Sequence, residues 1–102
     1  MPLTMQYNYI VKPLAAQKIW SFYHHVARKY QHTFDEEDLI RNARQAVRSI
    51  YRIEQSLLRR KPIIKRWRQY YMANIGSWYY AYTIEDSTIV VHDACHKQNM
   101  HD

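Results

Sequence analysis

Glycine and cysteine are almost missing from this chain: one of each stands among its 102 residues, with three prolines. A lone cysteine, Cys95, cannot close an internal disulfide, which excludes a stapled secreted scaffold. The scarcity of glycine and proline excludes collagen-like and low-complexity chains, and no stretch reads as a flexible linker. No apolar run approaches the roughly 18 residues that a membrane-spanning helix needs, so no membrane partner is expected. Residues 1–5 lack the basic and apolar regions of a signal peptide, and the expected location is the cytoplasm. Acidic residues are also scarce, 9 against 15 Lys and Arg, which leaves a formal charge of +6. A surface with that surplus suits nucleic acid or an acidic protein. Apolar and aromatic residues, by contrast, make up 47% and 15% of the chain. That is too much for disorder and enough for one domain over residues 1–102.

The hydropathy period divides the chain into segments. Residues 5–12 alternate, with Met5, Tyr7, Tyr9 and Val11 on one side, and read as a strand. Ile10 on the other side implies a strand covered on both faces. Pro13 ends it and can open a helix. Over residues 14–31, Ala15, Ile19, Phe22, Val26 and Tyr30 recur at steps of three and four, which makes one apolar helical face. Residues 32–34 interrupt it, and Thr33 with Glu36 has the spacing of a capping box beside the acidic run 35–38. A second helix then carries Leu39, Ile40, Ala43, Ala46, Val47, Ile50, Ile53, Leu57 and Leu58 inward. Arg59, Arg60 and Lys61 sit at its C-terminus ahead of Pro62. So short a break makes the two helices an antiparallel hairpin. Residues 63–72, 78–84 and 88–96 are dense in Ile, Val, Tyr, Trp and Thr and read as strands. Turns fall at 74–77, around the only glycine, and at 85–87. The expected fold is α+β: an N-terminal strand, an antiparallel helical hairpin, then a three-stranded antiparallel meander.

The basic residues fall into three groups. Arg41, Arg44, Arg48 and Arg52 form a stripe on the second helix, read either as a solvated face or as a phosphate contact. Arg59, Arg60 and Lys61 crowd the link to the sheet. Lys65, Arg66 and Arg68 lie within the first meander strand, with Arg66 and Arg68 toward one face. Charges amid aromatic strands imply an open sheet face, able to hold phosphates and stack bases. Alternation sends Trp78, Tyr80 and Tyr82 to one face and Tyr79 to the other, where packing accounts for most of them. His92, Cys95, His96 and His101 invite a zinc reading, which strand geometry opposes. Cys95 faces away from both flanking histidines, and His92 and His96 lie about 13 Å apart on one face. The segment from His96 through Lys97, Gln98 and Asn99 to His101 offers imidazoles, a cation and amides. It is either acid–base equipment or a polar tail.

Residues 78–84 (Trp-Tyr-Tyr-Ala-Tyr-Thr-Ile), the acidic turn and residues 88–95 (Thr-Ile-Val-Val-His-Asp-Ala-Cys) resemble the RelE/ParE superfamily of bacterial type II toxins. Size, basic charge and element order extend the resemblance over most of the chain. It implies a small toxin neutralised by a cognate antitoxin, which this basic surface would require to be acidic. RelE-like members cleave mRNA on the translating ribosome, and ParE-like members poison DNA gyrase. The resemblance makes Lys65, Arg66 and Arg68 the strand cations of a ribonuclease site. It makes Arg48, Arg52, Arg59, Arg60, Lys61, Lys97 and Gln98 candidate nucleic-acid contacts. The ribonuclease branch often starts its third strand with arginine, where this chain has Ser77-Trp78. A histidine or tyrosine after the last strand is matched in region by His96 and His101. The implied chemistry uses no metal or cofactor. His96 takes the ribose 2′-OH proton, Lys65, Arg66 and Arg68 stabilise the phosphorane charge, and His101 or Tyr79 protonates the leaving 5′-oxygen. The alternatives are a gyrase inhibitor without catalysis and a non-toxic basic module that binds nucleic acid or a protein partner.

Overall fold

The structure is a computed structural model, and it describes residues 7–100. Residues 5 and 6 of the expected first strand, and His101, lie outside the described residues. Strand β1, Asn8–Val11, stops at Lys12 because Pro13 occupies the first turn of the helix α1, Pro13–Lys29. Arg28 and Lys29 close α1, where cations favour the helix dipole. The second helix, α2, spans Glu36–Ser49. Its capping box is made by Asp35 and Asp38 and not by Thr33 and Glu36. Asp38 donates its N–H to Asp35 Oδ1 at 2.9 Å, and Asp35 donates its own to Asp38 Oδ2 at 3.1 Å. The N–H of Asp35, bonded to the Asp38 carboxyl, holds it below its ordinary range, aided by the charge of Arg41.

The helix does not run on to Leu58. It tightens into a 3₁₀ helix over Ile50–Gln55, whose three-residue period stacks Ile50 and Ile53 on one side, both fully buried. The chain then leaves the core at Ser56, and Leu57 is 77% exposed. Arg59, Arg60 and Lys61 therefore belong to a loop and not to a helix end. Arg59 takes a φ of 59° there, its N–H bound to the hydroxyl of Tyr82 at 2.9 Å.

Among the described residues the sheet has four strands in the order β1-β4-β3-β2, where β2 is Tyr71–Ile75, β3 is Trp78–Glu85 and β4 is Thr88–His96. β2, β3 and β4 pair antiparallel in sequence, and β1 adds parallel to β4. The molecule is thus α+β with a mixed sheet. β1 lies at an edge, and Ile10 is 51% exposed, so cover on both faces is not what the chain provides. Two-residue turns join the meander strands. Gly76, at φ 60°, takes the left-handed conformation in one, and Asp86, at φ 57°, takes it in the other.

The largest departure lies at residues 63–70. The expected strand there is irregular chain with a 3₁₀ helix at Lys65–Trp67, and pairing starts only at Tyr71. Ile64 and Trp67 are three apart, a spacing that brings both to one side of a 3₁₀ turn; they are 4% and 1% exposed. They pack on Met72, Ala81 and Cys95, which closes the sheet face expected to be open. The opposite face carries the main core. There Trp78, Tyr80 and Tyr82 alternate inward against Ile19 of α1, Ala43 and Ala46 of α2, and Ile50 and Ile53. Tyr80 anchors this side, its hydroxyl 2.7 Å from Ser49 Oγ and donating to the Ala46 carbonyl at 2.8 Å.

Candidate functional site

Parallel pairing of β1 ends where Val11 meets Val91, with Lys12 donating to the Val91 carbonyl at 2.9 Å. Beyond Val91, no strand among the described residues pairs with β4 on its β1 side, and α1 packs against β4. The register shifts at Ala81/Tyr82, where Ala81 faces Asp93 and Tyr82 faces Val91, so His92 is the extra residue of a bulge. The bulge sends His92 to the face of Tyr70 and His96 to the helix face. His92 therefore does not share a face with His96, contrary to the uninterrupted alternation. Its ring stacks on Tyr70 at 4.7 Å and bonds Thr83 Oγ1 at 2.8 Å, and burial lowers its pKa, aided by the charge of Lys12.

Asp93 ties the two sides of the sheet together at this unpaired edge. Its Oδ1 receives Lys18 Nζ of α1 at 3.3 Å and the Ala94 N–H at 2.8 Å. Its Oδ2 receives the Trp67 indole N–H from the opposite cover at 2.9 Å. Arg66, next to Trp67, lies over that indole at 5.6 Å and donates to Cys95 Sγ at 3.4 Å. Burial raises the Cys95 thiol pKa, against the opposing charge of Arg66, so the sulfur is held as a neutral thiol.

His96 ends β4. Its imidazole stacks on Phe22 at 4.0 Å and meets Trp78 edge-on at 5.3 Å. Burial by those rings lowers its pKa and favours the neutral imidazole. Nδ1 accepts the Gln98 N–H at 3.2 Å, so in the neutral ring the proton sits on Nε2. That arrangement makes Nε2–H a hydrogen-bond donor and gives it no lone pair with which to accept a proton. The role of general base for His96 does not fit this rotamer.

These side chains meet around a cleft of about 150 Å³ lined by Lys18, Phe22, Arg66, Cys95, His96 and Asn99. It opens toward a wider cleft of about 600 Å³ between α1 and the 3₁₀ helix Lys97–Asn99, which shares Lys18, Phe22, His96 and Asn99 with it. A small cavity joined to two cations, an imidazole N–H and an amide has the chemistry of an anion site.

Arg66 and His96 are thus brought together, and the other expected site residues disperse. Arg68 caps the 3₁₀ helix, exposed, and is absent from the cleft lining; Lys65 is likewise exposed on that turn. Arg66 and Arg68 do not share a strand face, because there is no strand. Tyr79, paired with Cys95, packs with Trp67 and Met72 on the face opposite His96. Lys97 and Gln98 are exposed in the 3₁₀ helix, and Gln98 lines the wider cleft. Arg59 and Arg60 are exposed in the loop, and Lys61 lies 5.8 Å over the Tyr71 ring. Arg48 and Arg52 line a separate cleft of about 400 Å³ with Asn42, Gln45 and the Gly76–Ser77 turn. Arg41, in the same stripe, pairs with Asp38 one turn earlier.

Lys18 and Asp93 are site residues that the sequence pattern did not single out, whereas Asn99 lies in the segment after β4 that it did. One signal was available: a carboxylate at Asp93 between Val91 and Ala94 is out of place unless cations or donors reach it. Among the described residues no three His, Cys, Asp or Glu side chains gather as a metal site, and no helix is long and apolar enough to cross a membrane. Compared with known proteins, the chain matches no family, no curated protein and no solved structure.

Proposed function

We propose that this chain is the toxin of a type II toxin–antitoxin pair with a RelE/ParE-like fold, acting as a metal-independent mRNA endoribonuclease on the translating ribosome. The observation that carries the reading is the meeting of Arg66, Lys18 and His96 around one small cleft at the open edge of β4. A scissile phosphate fits that combination. The ribose 2′-oxygen attacks phosphorus in line, the P–O5′ bond breaks, and the products are a 2′,3′-cyclic phosphate and a 5′-hydroxyl. The proton lost by the 2′-OH is balanced by the one gained at the 5′-oxygen. Arg66 and Lys18 neutralise the charge of the phosphorane, and His96 Nε2–H donates to one of its oxygens; this electrostatic share is usually the largest in such catalysis. His101, five residues beyond His96, is the candidate for moving the protons. Tyr79 takes no part, since its ring lies on the other face.

The surplus of positive charge supports an acidic, partly disordered antitoxin that folds as it docks. One observation favours the gyrase reading. Trp78 stands where the ribonuclease branch often has arginine, and it is 3% exposed, bound through its indole N–H to Tyr23 at 3.1 Å. No cation can reach the cleft from that position.

The deciding experiment is induced expression without partner, with growth and primer extension on cellular mRNA followed together. Growth arrest with discrete new 5′ ends, abolished in Arg66→Ala and reduced about tenfold or more in His96→Ala, is the expected result. Arrest with intact transcripts and blocked DNA supercoiling establishes the gyrase reading instead. Folded protein without arrest leaves a non-toxic binding module.

A further inference from the structure

Lys18, Phe22, His25 and Lys29 stand at steps of four, three and four along α1, which places them on one stripe of the helix. The stripe faces the chain that follows β4: Phe22 stacks on His96, and Gln98 and Asn99 form the opposite wall of the 600 Å³ cleft. Among the described residues no acidic side chain lines either this cleft or the smaller one it joins. Asp93 engages Lys18 from the strand side, whereas His25 and Lys29 have no acidic neighbour in the lining. At the far end Tyr30 is 51% exposed, with Lys29 Nζ 5.5 Å over its ring. An exposed aromatic ring beside cations, with amides opposite, is the equipment that single-stranded nucleic acid uses: phosphates meet cations and bases stack on rings.

We propose that this cleft is a track for single-stranded nucleic acid, leading away from the Arg66–His96 pocket along α1 to a base-stacking platform at Tyr30. The inference rests on the reading of that pocket as a phosphodiester site. Eleven residues of helix separate Lys18 from Lys29, about 16 Å at 1.5 Å per residue. That span extends well beyond one phosphate, so the track holds the strand on one side of the scissile bond. An acidic protein segment would also seek Lys29 and His25 but has no use for an exposed tyrosine face, which is why the nucleic acid is the better fit. The wall residues Gln98 and Asn99 offer amide groups that can bond base edges in the same strand.

The test is fluorescence anisotropy of a 2′-O-methyl RNA oligonucleotide, which the protein cannot cleave, titrated with the full chain over a salt series. Lys29→Glu is expected to weaken binding about tenfold or more and to make the salt dependence shallower by about 0.7 for each phosphate that is no longer neutralised. Tyr30→Ala should weaken binding at least fivefold at unchanged salt slope, because it removes stacking and no charge. Lys18→Ala follows Lys29→Glu if its loss of the Asp93 pair leaves the fold intact, and Lys29 and Tyr30 carry the test if it does not. Lys12→Ala, at the end of β1 and outside the lining of both clefts, serves as the control and should change binding less than twofold. Binding unchanged in Lys29→Glu and Tyr30→Ala, or no binding at low salt, overturns the track. So does a polyglutamate competitor that depends on Lys29 while the oligonucleotide does not. Cleavage and the track fail separately. Oligonucleotide binding through Lys29 and Tyr30 in a chain that cuts no transcript refutes the ribonuclease alone, and cutting that ignores both residues refutes the track alone.

Discussion

On one face of the sheet, α1, α2 and the 3₁₀ helix Ile50–Gln55 bury Ile19, Ala43, Ile50 and Ile53 against Trp78, Tyr80 and Tyr82. On the other, irregular chain before β2 does the same work with Ile64 and Trp67 against Met72, Ala81 and Cys95. The helical cover spreads its burial over many modest side chains at regular steps. The irregular cover concentrates it in one indole, which also makes a hydrogen bond to Asp93 and carries Arg66 beside it. The two covers meet along the edge of β4 past Val91, where Lys18 comes from one side and Arg66 from the other. A site assembled from both covers depends on each of them holding its position.

Trp67→Ala tests that difference most severely. It empties the largest buried volume of the irregular cover and leaves Asp93 short of a donor, at an expected cost of about 3–5 kcal/mol in chemical denaturation. Ile19→Ala removes less from the helical cover, about 2–4 kcal/mol, because neighbouring side chains share the load. If Trp67→Ala costs less than about 1 kcal/mol, the irregular segment is a loose flap and the comparison fails. Asp35→Ala takes away the N-cap of α2, and about 1 kcal/mol should go with it, measured the same way. A similar loss, about 1 kcal/mol, is expected for Gly76→Ala, where space is open but φ is 60° and the strain is that of the backbone alone. Finally, each face holds one histidine whose pKa burial lowers from the ordinary 6.5: His92 beside Tyr70, His96 beside Phe22. Below that value the unfolded chain binds more protons than the folded one, so stability rises with pH through this window and falls on acidification below about 6.5. Thermal melting between pH 7.5 and 5 should show the decline. His92→Gln and His96→Gln, made separately, apportion it between the faces, and a flat wild-type profile would falsify the assignment of both.

How much was legible in the sequence follows the same division. Helix α1, the start of α2 and β3 carry their own periods, and their inward residues, Tyr30 apart, could be named from spacing; the bulge at His92 broke the period of β4. The 3₁₀ ending of α2 could not, since Ile50 and Ile53 suit either helix type and only Leu57, thrown out to solvent, reveals the change. Residues 63–70 misled because Ile, Trp and Tyr have strand propensity, while the Ile64–Trp67 spacing of three was the better guide. Of the candidate site, His96 and Arg66 were legible as residue types. Their meeting was not: Arg66 and Arg68 have no common strand face because the chain forms no strand there, and Tyr79, opposite Trp78 as alternation has it, lies away from His96.

Residue order alone is enough for the elements with regular periods, the excess of positive charge and the left-handed turn at Gly76. Those properties depend on residues near one another in the chain. Long-range packing alone placed β1 parallel to β4 at the sheet edge, put in the bulge at His92 that separates the two histidines, and drew Lys18 and Trp67 to Asp93 at one strand edge. Strand pairing and bulges are settled by partners far apart in sequence, and their side chains are placed by packing that no local pattern encodes.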